Sequence, residues 1–324
     1  RMADDRAQNI PPAPDYAALI DAETWEFIHE TGRWYPPDTA DLPVAGQRTI
    51  YDRMCRAFHR GHPAGVTARD ERIGGVPCRR YEAGASDVTV LYLHGGGFVV
   101  GGLDSHDDVC AEICAATGYR VVSVGYRLAP EHPHPAAFDD ALSAARVVTR
   151  GGRIILAGDS AGGNLAAAVA HATRGEATRI AGQVLIYPGL GRDRNAGSYL
   201  VHAHAPMLTR DDVLYYYAAI RHPGGVEPRP PDPTANPLDD TDFAGLPPTL
   251  IFTAECDPQA DDGPAYARRI MAAGGHALVI EENGLVHGYL RARRTVARAR
   301  RSFGRICEGI EMLGQGHWPE GGPP

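Results

Sequence analysis

The sequence predicts an α/β layer fold: a mostly parallel eight-stranded sheet, helices on both faces, and a helical cap. Three observations carry this. Short apolar runs recur along the chain: "VTVLYLHG", "RVVSVGYRL", "RIILAGDS", "GQVLIYPG", "TLIFTAECD" and "ALVIEEN". Runs without polar alternation suit strands buried on both faces. Helical stretches separate them, as right-handed crossovers between parallel strands require. The interval from Gly189 to Leu250 alone breaks the rhythm, and so long an insertion in a compact domain usually has a function.

In chain order, "DYAALIDAETWEFIHETG" carries apolar residues at helical spacing. Ile50, Tyr51, Met54, Cys55 and Phe58 then fall on one helical stripe. These two helices precede every strand and need a surface to bury against, so residues 1–62 are assigned to the cap. "TARDERIG" and "VPCRRYEA" read as a hairpin around a glycine turn, which brings the strands to eight. The core is assigned to 63–189 and 246–313, and a cap insertion to 190–245. Inside the insertion, Thr209 followed by Asp211 and Asp212 marks a helix start. Residues 314–324, "GQGHWPEGGPP", are expected to be a disordered tail. The Arg-rich stretch Arg291 to Arg301 has the spacing of a solvated helix face.

Composition removes several function classes. Hydrophobic residues make up 44% and charged residues 22% of 324, with a formal net charge of −8 and no strongly basic segment, so a nucleic-acid partner is not expected. There is no lysine, so neither a Walker-type phosphate loop nor a pyridoxal Schiff base can be built. No apolar run is long enough to span a bilayer. The first residues are polar and six cysteines are scattered, so the chain reads as cytoplasmic, with reduced thiols. Cys110 and Cys114 lie one helical turn apart and are expected to be buried helix residues. His59 and His62 are expected to lack a third ligand near them, and no metal site is expected.

Two motifs carry chemistry. In "LAGDSAGGNLAAAVA" an apolar strand runs into Gly158-Asp159-Ser160-Ala161-Gly162 and then an Ala-rich helix. That strand–turn–helix context is what G-x-S-x-G needs to expose Ser160 as a nucleophile. Its partners should follow as acid, then histidine. Asp257 lies just beyond one apolar run, and His287 lies in the loop after the last run. Asp261 and Asp262 are rival acids, but they fall one turn into the next helix and are expected to serve its N-terminus. His132, His134, His202 and His204 are expected to be structural or exposed. The second motif is "LHGGGFVVGG". From Gly95, a dinucleotide G-x-G-x-x-G reaches Val100 instead of glycine, so that reading fails. The loop is instead placed to aim backbone amides of Gly95, Gly96 and Gly97, together with Ala161 N–H, at a reacting carbonyl oxygen.

"HGGGF", "YRLAPEHPHPAAFDD", "GDSAGGN", "CDPQADDG" and "HGY" together resemble the bacterial hormone-sensitive-lipase-like α/β-hydrolases, in the GDSAG subgroup that includes acetyl esterases. The resemblance implies an α/β-hydrolase fold and a serine carboxylesterase for short acyl chains, acetyl to hexanoyl. It makes Ser160 nucleophile, Asp257 orienting acid and His287 base. It places the oxyanion hole on Gly96, Gly97 and Ala161, with Gly95 shaping the turn, His94 holding the loop and Asp159 supporting the elbow. No cofactor is implied. The partner would be a small-molecule ester, and a homodimer through the last strand or helix is a candidate assembly. Phe98, Leu208, Tyr215 and Tyr216 are the pocket candidates; of three consecutive tyrosines ending at Tyr217, not all can face inward. The chain departs from the family at Gly125, where aspartate is usual, at Gln259, where leucine is usual, and in a shortened 140–158 stretch. Rival readings are an amidase or natural-product deacetylase on the same triad, a metal hydrolase without the H-E-x-x-H motif, and a non-catalytic binder. The plant gibberellin receptors, binders of this kind, lack the histidine that His287 supplies here.

Overall fold

In the computed structural model, which describes residues 10–176, 180–221 and 230–319, the apolar runs form one eight-stranded sheet. The strands are β1 (Thr67–Ile73), β2 (Val76–Glu82), β3 (Val88–Leu93), β4 (Arg120–Val124), β5 (Arg153–Asp159), β6 (Ile180–Ile186), β7 (Thr249–Cys256) and β8 (Ala277–Val286). Their spatial order is β1-β2-β4-β3-β5-β6-β7-β8. The hairpin strand β2 runs antiparallel to both β1 and β4, and every other pairing is parallel. All six residues of β3 are buried, which is why that run shows no polar alternation.

Helices cover both faces. On one side α4 (Asp107–Thr117) and α10 (Ala297–Gly314) pack Cys110, Ile113, Ile306 and Ile310 against Val90, Tyr92 and Val184. On the other, α5 (Ala136–Val148), α6 (Ala161–Ala172) and α9 (Asp262–Ala272) enclose Leu91, Leu93, Leu156 and Leu185. In the 140–158 stretch, α5 is followed by one tight turn, Thr149–Gly151, and β5 begins at Arg153. All six cysteines are free and buried, Cys110 and Cys114 among them. No described helix is long and apolar enough to cross a membrane.

The remaining helices gather over the carboxyl ends of the strands. From the N-terminal part come α1 (Tyr16–Leu19), α2 (Ala22–Trp34) and α3 (Val44–Phe58). The α3 stripe buries Tyr51, Met54 and Cys55 against Val99, Val100 and Ala129. The insertion supplies α7 (Ser198–Val201) and α8 (Arg210–Arg221). Thr209 and Asp212 close the start of α8: the Asp212 N–H donates to Thr209 Oγ1 at 3.1 Å, and Thr209 Oγ1 to Asp212 Oδ2 at 2.7 Å. Tyrosines and amides join the two cap pieces. Gln47 Nε2 donates to the Tyr215 hydroxyl at 3.1 Å, and Tyr16 OH meets His202 Nδ1 at 3.0 Å.

Two expectations are corrected and one is refined. Asp261 and Asp262 do stand at the start of α9, as its N-cap and first residue, but their side chains reach into the insertion instead of closing a cap hydrogen bond. Asp261 Oδ2 accepts from Ser198 N–H at 2.9 Å and pairs with Arg192 at 3.1 Å. Asp262 Oδ2 accepts from Leu190 and Gly191 N–H at 2.6 and 3.1 Å. The tail expected to be disordered is partly packed, with the Trp318 ring 5.5 Å from that of His276; residues 320–324 lie outside the described residues. The stretch Arg291 to Arg301 is not a uniform solvated face, because α10 starts only at Ala297 and Arg293 lies inside. The Arg293 side chain is 4% exposed and holds Asp108 and Glu112 of α4, each at 2.7 Å.

Removing one member of a buried ionic cluster strands the charges left behind. We therefore expect Arg293→Met to cost about 3–5 kcal/mol, read as a lower urea midpoint at unchanged slope.

Candidate active site

The turn between β5 and α6 is forced by close packing. Ser160 sits there with φ 54° and ψ −118°, a strained conformation for a non-glycine residue. Its N–H is tied to Ile186 O of β6 at 2.8 Å. Only glycine fits two residues on, since a Cβ on Gly162 would overlap the Leu93 carbonyl at the end of β3. The sharp turn lifts the Ser160 hydroxyl clear of the sheet.

The ends of β7 and β8 bring the other two groups to it. His287 Nε2 lies 2.8 Å from Ser160 Oγ, and His287 Nδ1 lies 2.6 Å from Asp257 Oδ2. The carboxylate cannot donate, so Nδ1 carries the proton and Nε2 is the acceptor for the serine hydroxyl. Asp257 is 1% exposed, and its other oxygen accepts from Gln259 N–H at 2.8 Å. Residue 259 thus positions the acid through its backbone, whatever its side chain. The Gln259 side chain fills the space beside Gly189 and lines the cavity. At Gly125 the N–H bonds Pro77 O at 2.8 Å, and a Cβ there would lie 3.1 Å from that same oxygen.

The glycine loop follows β3. Gly96 and Gly97 have φ of 127° and 59°, and a Cβ on Gly97 would overlap the Tyr216 ring. Among the described residues, the N–H groups of Gly96, Gly97 and Ala161 have no acceptor. Gly95 differs, which corrects its inclusion among the free donors: its N–H is taken by Asp159 Oδ1 at 3.0 Å. His94 holds the loop through Nδ1, 2.8 Å from Gly95 O, and stacks on Tyr126 at 4.2 Å. Burial, then the neighbouring His106, lowers the His94 pKa to about 4, so it is neutral at pH 7.

Asp159 lies beneath the serine and is almost wholly buried. It also accepts from Tyr92 OH at 2.8 Å, His106 Nε2 at 3.2 Å and Tyr187 OH at 3.4 Å. Burial alone would raise its pKa. The His106 charge and the His106 and Tyr92 hydrogen bonds outweigh that and hold it down to about 2. Sequence reasoning missed His106, Tyr92 and Tyr187, because nothing in the local motifs points to them. It also passed over Asn164, whose Nδ2 donates to Gly189 O at 2.8 Å and Ala235 O at 3.0 Å, tying α6 to the insertion.

A cavity of about 520 Å³ opens above Ser160 and His287. Phe98, Leu208, Tyr215 and Tyr216 all line it. They differ in role: Tyr216 packs on the glycine loop, whereas Tyr215 is 36% exposed and faces Gln47. Tyr217 lies under the Arg194 guanidinium at 4.0 Å. His132 and His134, expected to be structural or exposed, are part of the cavity wall, and so is Arg291.

His59 and His62 do meet a third polar group: Asp107 Oδ2 lies 2.9 and 2.6 Å from their Nε2 atoms. The arrangement is a hydrogen-bonded cluster. Gly61 N–H donates to His59 Nδ1 at 3.1 Å, which leaves the proton on Nε2, where a ligand would need a lone pair. Asp107 Oδ1 is further occupied by Tyr81 OH at 2.7 Å and Arg79 at 3.0 Å.

Comparison with known proteins identifies the family. The family described as alpha/beta hydrolase fold matches residues 90–291. Carboxylesterase NlhH of Mycobacterium tuberculosis is 41% identical over 226 residues, 67% of this chain and 70% of that protein. Among solved structures, DphMB1 superposes with a TM-score of 0.82 at 34% identity, covering 94% of this chain and 100% of that one. An esterase from the bacterial hormone-sensitive lipase family superposes with a TM-score of 0.80 at 28% identity, covering 90% and 98%. The chain belongs to the α/β-hydrolase fold family, in its bacterial hormone-sensitive-lipase-like group.

Proposed function

We propose that this chain is a serine carboxylesterase that cleaves small esters of short acyl chains through an acyl-enzyme. The observation that carries the reading is the continuous Ser160–His287–Asp257 chain of hydrogen bonds facing three uncommitted amides. Ser160 Oγ attacks the ester carbonyl while His287 Nε2 takes its proton. Negative charge gathers on the carbonyl oxygen and is met by the Gly96, Gly97 and Ala161 N–H groups. His287 then gives the proton to the leaving alcohol, and the acyl group stays on Ser160. Water, deprotonated by the same nitrogen, releases the acid. Asp257 holds the imidazole in the required tautomer and orientation. Carboxylesterase NlhH supports the reaction class through its name. The short-chain preference rests on the family motifs and on the aromatic wall of Phe98 and Tyr216. The bonded His287 supports an enzyme over a binder.

Two sets of variants test this, and a third tests the buried carboxylate beneath the serine. On p-nitrophenyl esters from acetate to octanoate, activity should peak at or below hexanoate, and Ser160→Ala should lose about 10⁴-fold or more in kcat; residual activity near wild type would overturn the assignment. Gly97→Ala places a methyl against Tyr216 and should lower kcat/KM about 100-fold, the effect of one misplaced oxyanion donor. Asp159 has a folded pKa near 2 against an ordinary 3.8. Its stabilisation is therefore present above about pH 4 and fades as the pH falls through 2. Urea unfolding should show Asp159→Asn less stable than wild type by about 2 kcal/mol at pH 7, with the gap narrowing towards pH 3.

A further inference from the structure

Arg291 stands four residues beyond His287, in the single turn Tyr289–Ala292. It lines the same cavity as Ser160, beside Gly288, Met207, Tyr51 and Met54. Its surroundings do not match its charge. No carboxylate pairs with it among the described residues. Its Nη1 donates only a long 3.5 Å bond to Tyr51 OH, and the Tyr51 ring centre lies 5.7 Å from its central carbon. Its Nε is shut away from solvent without an acceptor. Its Nη2 lies over Gly288, where a Cβ would be 3.1 Å away, so a side chain there would crowd the guanidinium.

The neighbours explain why nothing inside the protein completes the site. The groups that bear most on Arg291 are the hydroxyl of Tyr51 and the thiol of Cys55, then Tyr187. Asp159 comes after these, and four donors already occupy its oxygens. Arg194, the other described guanidinium on the cavity wall, also has a buried Nε without an acceptor, but it stacks on Tyr217 and acts on the Asp262 carboxylate. Burial disfavours the charge on Arg291, but Tyr51, Cys55, Tyr187 and Asp159 outweigh it and hold the guanidinium above its ordinary range, so it stays protonated. The guanidinium is half-buried, with a sealed Nε that has no acceptor and no carboxylate beside it, and it stays short of hydrogen bonds until an anion meets it. Its planar fork matches a carboxylate with two parallel hydrogen bonds.

We infer that Arg291 binds a carboxylate of the substrate, so that the preferred ester is an anion: a half-ester of a dicarboxylic acid, or an acylated hydroxy acid. Ester carbonyl at Ser160 and carboxylate at Arg291 would fix both ends of one substrate arm along the Gly288 side of the cavity. This rests on the esterase reading. The uncharged partner of such a substrate, with the carboxylate esterified, leaves the guanidinium unmet and is the worse substrate.

The test compares monomethyl with dimethyl esters of succinate, glutarate, adipate and suberate, following acid release at constant pH. For at least one chain length, wild type should show kcat/KM at least tenfold higher for the half-ester. Arg291→Met should abolish that preference and Arg291→Lys should retain part of it, while exposed Arg301→Gln leaves the ratio unchanged. In parallel, calorimetry on full-length Ser160→Ala measures binding of the same half-esters, with an expected loss of tenfold or more on adding Arg291→Met. Ester cleavage with no half-ester preference at any length, or a preference that Arg291→Met leaves intact, overturns the inference and spares the esterase. Arg291-dependent binding to Ser160→Ala without cleavage of any ester by wild type sinks the esterase reading and keeps the anion site. Should Arg291→Met fail to fold, Arg291→Lys decides: a ratio equal to wild type overturns the inference, and a threefold or greater fall upholds it.

Discussion

One buried carboxylate organises the centre of this protein. Asp159 accepts from Tyr92 on β3, from the Gly95 amide in the glycine loop, from His106 ahead of α4, and from Tyr187 after β6. It is also the residue before Ser160. A charge with so little access to water must be satisfied by fixed donors, and each donor it recruits becomes fixed in turn. The elbow that presents the serine and the loop that presents the amides are thereby referred to the same two oxygen atoms. The Gly95 amide is consumed in this task, which frees Gly96 and Gly97 to point elsewhere.

Sterics complete what that charge begins. The approach of Gly162 to the Leu93 carbonyl leaves no room for a side chain, and Tyr216 lies where a Cβ of Gly97 would be. The first contact joins the sheet to the Ser160 turn. The second joins the cap to the glycine loop, so the roof of the cavity and the amides beneath it share one packing surface. Asp261 and Asp262 add a second tie between core and cap. They spend their charge on the insertion's amides and on Arg192, so the loop that carries Asp257 also anchors the cap.

Much of the fold was legible because its signals are local. A strand buried on both faces must read as an apolar run, and all six runs became parallel strands. The glycine turn between "TARDERIG" and "VPCRRYEA" became the β1–β2 hairpin. Thr209 and Asp212 acted within one turn of helix. Ser160, Asp257 and His287, which hydrogen bonds join in the fold, were legible for the same reason: each stands at the carboxyl end of a strand, in an order that the architecture dictates. What could not be read were contacts between segments distant in sequence. His106, Tyr92 and Tyr187 meet at Asp159 only after three crossovers. Asp107 joins His59 and His62 from more than forty positions away.

Arg291 and Arg293 mark that boundary most sharply. In sequence both belong to an Arg-rich stretch with the spacing of a solvated face, and periodicity has no means of separating them. In the fold, Arg293 enters a carboxylate pair supplied by α4, while Arg291, two residues earlier, turns into the cavity beside His287. The sequence by itself determined where strands begin, which serine is exposed, and which acid and histidine follow it, because backbone sterics and hydrophobic periodicity act over a few residues. Only the tertiary structure decided which charges find partners, since Coulomb attraction and desolvation depend on distances that the chain's own order does not contain.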